Sequence, residues 1–442
     1  MAEASGLARL IGRAVDAREG ELPAVLTGFA LFFCLFAGYS VLRPIRETMG
    51  ITAGVDKLQW LFSATFFTML AAVPLFGALS SRVPRRRLVP SVYLFFAANL
   101  LAWAAGFAYD AGNVWLARLF YVWVSVFNLF VVSLAWSLMA DVFRTEQAKR
   151  LFAPMAAGAS VGGLGGPLLG MALVARIDLD GLALVSAGLL GASLLGVRSL
   201  YQWRATRGAG SEQPQDETAL PLRGGLLDGF ALIVRSPYLI GIGVFVILLA
   251  TTSTFLYFEQ ARLVAETFPG RVRQTQVFAL IDAVVQALTI ATQVFVTGRL
   301  ARRYGVTVLL TAVPLLMAAG LGALALAPTF GLLAVAMVLR RVGEYALVRP
   351  GREMLFTRVD AQTKYKAKNV IDTAVYRGAD ALSGWVKVGI DAIGAGAWLV
   401  ALIGAAVALC WALVGRWLGR QQEAGSGRTR MRKSQAACTP HG

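Results

Sequence analysis

EYALVRPGREMLFTRVDAQTKYKAKNVID, residues 344–372, starts at the end of an apolar run yet carries Arg349, Arg352 and Glu353, then a basic comb of Lys364, Lys366 and Lys368. The apolar run places its start inside a membrane helix. Charge is expensive in a bilayer, so ionisable residues there are functional candidates by default. Near the other end of the chain, residues 39–47 read YSVLRPIRE, and residues 345–353 read YALVRPGRE. Tyrosine, arginine, proline, arginine and glutamate recur in register. Both stretches are read as substrate-facing ends of pore-lining helices.

The chain around them has 442 residues, 57% hydrophobic and 15% charged. Its apolar runs recur at the ~20-residue length that crosses a hydrocarbon core. This composition specifies an all-α polytopic membrane protein; a strand barrel would show short alternating segments instead. The net charge of +17 would direct a soluble protein toward nucleic acid. Here the arginines crowd the short loops, as the positive-inside rule describes, and no nucleic-acid partner is expected. Cys34, Cys410 and Cys438 have no metal or redox spacing, and the only histidine, His441, lies in the tail. Histidine chemistry inside the membrane is thereby excluded. Without a nucleophile–base set or a metal cluster, neither enzyme activity nor a metal or cofactor is expected. Residues 1–20 are polar and amphipathic, so no cleavable signal is read, and the first apolar run is long enough to be a span.

Twelve spans are expected, at about 23–49, 58–80, 88–109, 114–140, 152–175, 181–203, 236–258, 275–299, 305–327, 329–356, 369–393 and 397–419. Residues 1–21, with Leu7, Leu10, Ile11 and Val15 at helical spacing, form a cytoplasmic segment suited to the membrane surface. Residues 22–203 make a first six-helix half, 204–228 a polar cytoplasmic linker and 229–420 a second half. Residues 421–442 are read as a disordered basic cytoplasmic tail. Loops after spans 2, 4, 6, 8 and 10 hold most of the arginine and lysine, so both termini are assigned to the cytoplasm. GALSSR at 77–82 is echoed by GRLARR at 298–303; Gln147 and Lys149 are echoed by Gln362 and Lys364. Two six-span halves, each of inverted triplets and related by a pseudo-two-fold, describe the major-facilitator architecture. In that architecture spans 1, 4, 7 and 10 line the cavity. The two arginine motifs then form basic clamps, one at each end of a central cavity.

Arg43 and Arg46, like Arg349 and Arg352, are three residues apart, on one helix face. Paired guanidinium forks suit phosphate or carboxylate. Glu47 and Glu353 follow an arginine by four residues and are placed to neutralise it in an empty site. Tyr39 and Tyr345 open the two motifs. Pro44 and Pro350 each remove a helix donor. The alternative is arginines snorkelling at helix ends. Arg340, Arg341 and Glu344, midway along span 10, form either an internal structural pair or a central substrate contact. Lys364 and Asp372 are further charge partners. Asp282 is either a proton site or an interhelical hydrogen-bond partner. Arg118, Asn128 and Asp141 on span 4 and Gln286 on span 8 are weaker candidates. Gly158, Gly162, Gly166 and Gly170 mark close helix packing. The span 4 aromatics Phe120, Tyr121, Trp123, Phe127 and Phe130 are read mostly as lipid-facing or packing, with one of them open to stacking on a base.

At these residues the chain resembles the bacterial and plastid ATP/ADP translocases, a nucleotide transporter family. That family's first span ends NYTILRDTKD; here Tyr39, Leu42 and Arg43 match, with Arg46 for lysine and Glu47 for aspartate. Its tenth span reads KYSLFDPCKEM, then LDEDTKVKGKAAID. Tyr345, Leu347, Pro350, Glu353 and Met354 match, with Arg352 for lysine. Asp360, Thr363, Lys364, Lys366, Lys368, Ile371 and Asp372 then match in register. Residues 119–122 and 147–150 echo the family's LFYV and EAKK. The resemblance implies that Arg46 and Arg352 stand where cavity lysines handle nucleotide phosphates. Two glutamates of the pattern are missing: span 4 has Val124, Ser125, Val126 and Phe127 in that region, and span 7 has Thr251, Thr252, Ser253 and Thr254. Glu344 replaces a lysine.

The expected function is a monomeric secondary transporter of the bacterial inner (plasma) membrane. It carries an organic anion by alternating access, with nucleotide exchange of the ATP/ADP type as the leading assignment. The alternative is a proton-coupled facilitator for another solute, with Asp282 or Glu344 as proton carrier. A third class is a non-transporting membrane sensor or assembly partner.

Overall fold

Apolar runs of this length satisfy their backbone groups within a bilayer as helices. The computed structural model describes residues 18, 20–206, 226–394 and 396–437, and among them there are helices and no strands. The proposed surface segment at 1–17 and most of the linker lie outside the described residues.

The helices are α1 (Leu22–Thr52), α2 (Leu58–Arg82), α3 (Arg85–Asp110), α4 (Val114–Val142) and α5 (Thr145–Thr206). A short helix, α6 (Leu226–Arg235), precedes α7 (Pro237–Thr267), α8 (Arg271–Thr292) and α9 (Gly298–Leu326). Then come α10 (Phe330–Gly343), α11 (Arg349–Leu355), α12 (Ala361–Val370), α13 (Tyr376–Ala392) and α14 (Ala397–Ala437). Two of these are merged rods. Asp178 breaks α5 with φ 51°, and its own carboxylate caps the Leu179 N–H at 2.7 Å. Gly305, at φ 75°, breaks α9 in the left-handed region that glycine tolerates. Three π-helical turns, Gln293–Thr297, Glu344–Val348 and Ile371–Val375, join α8 to α9, α10 to α11 and α12 to α13. Read across the π-turns and opened at the two breaks, the described residues give twelve long rods, the number expected. Seven helical stretches among them are long and apolar enough to cross a bilayer by length and composition.

Three boundaries differ from expectation. Helix α7 runs on to Thr267 rather than ending near 258. Arg262 pairs with Glu259 and, at 2.9 Å, with Glu266, and such i,i+3 and i,i+4 pairs support an extra turn. The basic comb is helical, because the Asp360 carboxylate accepts from the Thr363 N–H at 2.9 Å and starts α12 there. Helix α14 continues to Ala437, through residues expected to be disordered.

Contacts divide the chain into two compact units. The first comprises 1–55, 67–220 and 268–286, and its main packing is α1 against α5. Glycines decide that packing. A Cβ on Gly158 would stand 2.1 Å from the Phe29 carbonyl oxygen, on Gly162 2.4 Å from that of Phe33, and on Gly166 2.5 Å from that of Ala37. Gly170, the fourth of the series, faces open space. Valine at 158 must push two backbones apart, so Gly158→Val is expected to destabilise by at least ~1–3 kcal/mol. Gly170→Val should melt close to wild type in detergent, and equal losses for the two variants would contradict this packing. At the start of α1, burial pushes the Glu21 carboxyl up. Gln147, the Arg18 N–H and the Arg150 guanidinium at 3.2 Å more than reverse this and hold it below the ordinary range.

The second unit comprises 56–66, 221–267 and 287–442. Its core includes Phe245, Leu310, Met337, Phe356 and Trp411. Here α9 packs on α14, where a Cβ on Gly415 would meet the Leu310 carbonyl oxygen at 2.6 Å. Tyr238 donates to the Leu355 carbonyl at 3.0 Å and Gln422 to that of Met354 at 3.0 Å, fixing the end of α11.

Candidate functional site

Each arginine motif builds a charged cluster inside its own unit. In the first, α1 runs as helix through Pro44. Arg43 Nε lies 3.6 Å from the buried Asp282 carboxylate. The Arg46 guanidinium carbon lies over the Tyr121 ring, 3.8 Å from its centroid, and its Nε donates to the Tyr121 carbonyl at 3.2 Å. Its Nη1 donates to Glu47 at 3.0 Å. Glu47 therefore neutralises its neighbour Arg46 and not Arg43 four residues back. The long guanidinium arms reach other helices, so spacing along α1 does not choose the partner. Tyr39, one turn before Arg43, is half-buried. Beyond the motif, the Thr48 and Thr275 hydroxyls share a hydrogen bond at 2.7 Å.

Tyr121 settles a question left open about span 4. Phe120, Tyr121 and Phe127 are fully buried, and Phe120 packs on Trp103 and Phe107 of α3 with centroids at 5.3 and 5.0 Å. These rings are core rather than lipid-facing, and the face of Tyr121 is taken by Arg46.

The second cluster lies on the rod of α10 and α11. Arg340 and Glu344, four apart, pair at 2.9 Å with both side chains buried, the internal pair the spacing indicates. Arg341 beside them is buried too. Arg349 Nη2 is 3.9 Å from Glu344, and its guanidinium lies 4.6 Å from the Tyr345 ring centroid. Arg349 is 58% exposed while Arg352 is 13% exposed, so the two forks of this motif differ in access. Arg352 pairs with Asp372 at 3.0 Å, and Lys368 pairs with Glu353 at 2.7 Å. Glu353 thus neutralises the comb instead of Arg349. Lys364 is half-buried.

Two features of this unit took their meaning from the structure, although Pro350 was already visible in the sequence as a missing helix donor. First, Pro350 has no N–H to donate one turn back, where the rod passes through its π-turn. Neighbouring side chains serve the carbonyls there: Thr297 Oγ1 donates to Ala346 at 2.8 Å and Gln293 Nε2 to Tyr345 at 3.2 Å. Those donors come from another π-turn, and π-turns concentrate at functional sites. Second, Asp380 of α13 is buried and accepts from Thr254 of α7 at 3.2 Å, while Ser383 donates to Thr251 at 2.8 Å. A carboxylate thereby sits against the α7 threonines, supplied by a different helix.

The sequence of residues 25–351 matches the model of the Major Facilitator Superfamily, about three quarters of the chain. The chain belongs to the major facilitator superfamily. It is therefore a multi-pass membrane transporter of that superfamily's all-α fold, acting on a small-molecule substrate. It is 23% identical, over 434 residues covering 81% of this chain and 80% of the relative, to ADP,ATP carrier protein 1 of Chlamydia muridarum (strain MoPn / Nigg). Identity to ADP,ATP carrier protein 1 of Chlamydia trachomatis serovar D is also 23%, with the same coverage. Among solved structures, the nucleoside transporter NupG superposes with a TM-score of 0.64 at 16% identity, covering 89% of this chain and 98% of that one. A bacterial homologue of the iron transporter ferroportin gives 0.64 at 14% identity, covering 89% and 100%. These last two establish the major-facilitator fold and nothing about the solute.

Proposed function

We propose that this transporter exchanges nucleotides of the ATP/ADP type across the bacterial inner membrane, with both chain termini cytoplasmic. The observation that carries this reading is chemical. In each RPxRE motif a buried or half-buried arginine is held by a carboxylate, Arg46 by Glu47 and Arg352 by Asp372. Phosphate oxygens present the same acceptors to a guanidinium fork and form charge-assisted bonds of the same kind. An incoming di- or triphosphate displaces the carboxylate, so the arginine is never left as an unpaired buried charge. Removing one partner without replacement costs several kcal/mol, and exchanging one acceptor for another avoids that cost. The likeness to ADP,ATP carriers over four-fifths of both chains supports the nucleotide, and arginine-rich loops support the orientation.

The test is uptake of labelled ATP by vesicles holding the purified protein. Internal ADP is expected to accelerate uptake strongly, because the loaded carrier returns faster than the empty one. Uptake that ignores internal nucleotide and follows a pH gradient would replace this reading with a proton-coupled carrier of another solute.

A further inference from the structure

Four carboxylates are buried among the described residues: Glu21, Asp282, Glu344 and Asp380. Three of them face committed cationic or multiple hydrogen-bond partners. Glu21 meets Arg150 at 3.2 Å and Gln147 at 2.9 Å, Glu344 meets Arg340 at 2.9 Å, and Asp282 meets Arg43 across helices at 3.6 Å. Asp380 has a different environment. One oxygen accepts a single hydroxyl hydrogen bond, from Thr254 at 3.2 Å. The other lies 3.7 Å from Arg377, beyond hydrogen-bond length, and Arg377 is 37% exposed on the same helix. A buried carboxylate with so little compensation is an expensive charge.

The groups around Asp380 suit either protonation state. Asp380 and Ser383 are three apart on α13; Thr251 and Thr254 are three apart on α7, and the two pairs face each other. A hydroxyl both donates and accepts. Thr254 can therefore donate to the carboxylate or accept from the carboxylic acid, and the rung survives proton binding. An arginine bridge has no such freedom, since guanidinium only donates. The other charged or titratable groups acting on Asp380 are Arg377 and, from α10 and its π-turn, the Arg340–Glu344 pair; Tyr376 neighbours it on the π-turn side of α13. That pair is internally neutralised at 2.9 Å, which leaves Arg377 as the charge that responds.

We propose that Asp380 is a proton-binding site of this transporter, filled and emptied during the transport cycle, with the Thr254 hydroxyl as its hydrogen-bond partner and the Ser383–Thr251 bond holding α13 against α7 beside it. A hydronium ion gives its proton to a carboxylate oxygen: one O–H bond of hydronium breaks, one O–H bond forms on Asp380, water is left, and Arg377 loses its counter-charge. The inference needs only a transporter; it does not depend on the solute being a nucleotide.

The test is infrared difference spectroscopy of the protein in lipid vesicles as pH is lowered. Wild type is expected to gain a protonated-carboxyl C=O band that is lost in Asp380→Asn and shifted in frequency in Asp380→Glu. Thr254→Val, which keeps the acid and removes its hydroxyl partner, is expected to displace the midpoint of that band. A band unchanged in Asp380→Asn, or no band in a wild-type protein that melts normally, overturns the proposal. Vesicles showing the Asp380 band but no ADP-accelerated ATP uptake would sink the nucleotide reading alone. ADP-accelerated uptake without the band would sink the proton site alone.

Discussion

Arg352→Gln is expected to slow ADP/ATP exchange by about 10- to 100-fold, the factor that corresponds to losing one charge-assisted hydrogen-bonding partner. Arg352 is 13% exposed and pairs with Asp372 at 3.0 Å, so its fork is positioned before any anion arrives. Glutamine keeps much of the volume and one donor group but removes the charge. Arg46→Gln is expected to act in the same direction. It also loses the stacking on Tyr121 at 3.8 Å, so its turnover should fall together with some thermal stability. Arg352→Lys keeps the charge without the planar fork and should fall between wild type and glutamine. Arg86→Gln, at an exposed residue in the first turn of α3, is the control and should exchange normally. Initial rates per reconstituted protein decide the matter: wild-type exchange in both glutamine variants would remove the RPxRE arginines from the mechanism.

Glu344→Ala is expected to destabilise the protein by ~3–5 kcal/mol, because it strands the buried Arg340 guanidinium without its partner. The loss also removes the carboxylate that lies 3.9 Å from Arg349 Nη2. Arg340→Met should cost a comparable amount by stranding Glu344. The double variant Arg340→Met/Glu344→Leu removes both charges and fills the space with apolar atoms, so its melting temperature should recover above either single variant. Losses that simply add would show that the two residues do not satisfy each other. The same double variant separates the two roles open to this pair. Exchange retained in the folded double variant identifies a structural pair; exchange lost identifies a substrate contact.

These variants also show how much was legible in the sequence. The i,i+4 pair Arg340–Glu344 was readable because both groups lie on one regular helical stretch, where spacing fixes geometry. The partners of Glu47 and Glu353 were not, although they too stand four residues after an arginine. Glu47 bonds to the adjacent Arg46, whose guanidinium is drawn over Tyr121 of α4, and Glu353 bonds to Lys368 of α12, because flexible side chains take partners that spacing along one helix does not name. Asp282 was singled out as an intramembrane acid, and its partner Arg43 lies far away in sequence. Asp380 drew no attention, since a lone aspartate in a mixed stretch has no pattern; its meaning comes from the α7 threonines across from it.

From the sequence alone came the membrane, the helical class, the twelve rods and the two RPxRE motifs. Each depends on how many apolar residues run together and on the cost of charge in lipid, which are properties of a local stretch. Tertiary structure alone decided the three π-turns, the placing of Arg46 over Tyr121 and the carboxylates that Arg43 and Arg352 meet. A π-turn leaves carbonyls that its own helix does not serve, and it persists here where Thr297 and Gln293 reach over to donate. The pairs Arg43–Asp282 and Arg352–Asp372 were settled the same way, by side chains remote in sequence brought within reach when the rods packed.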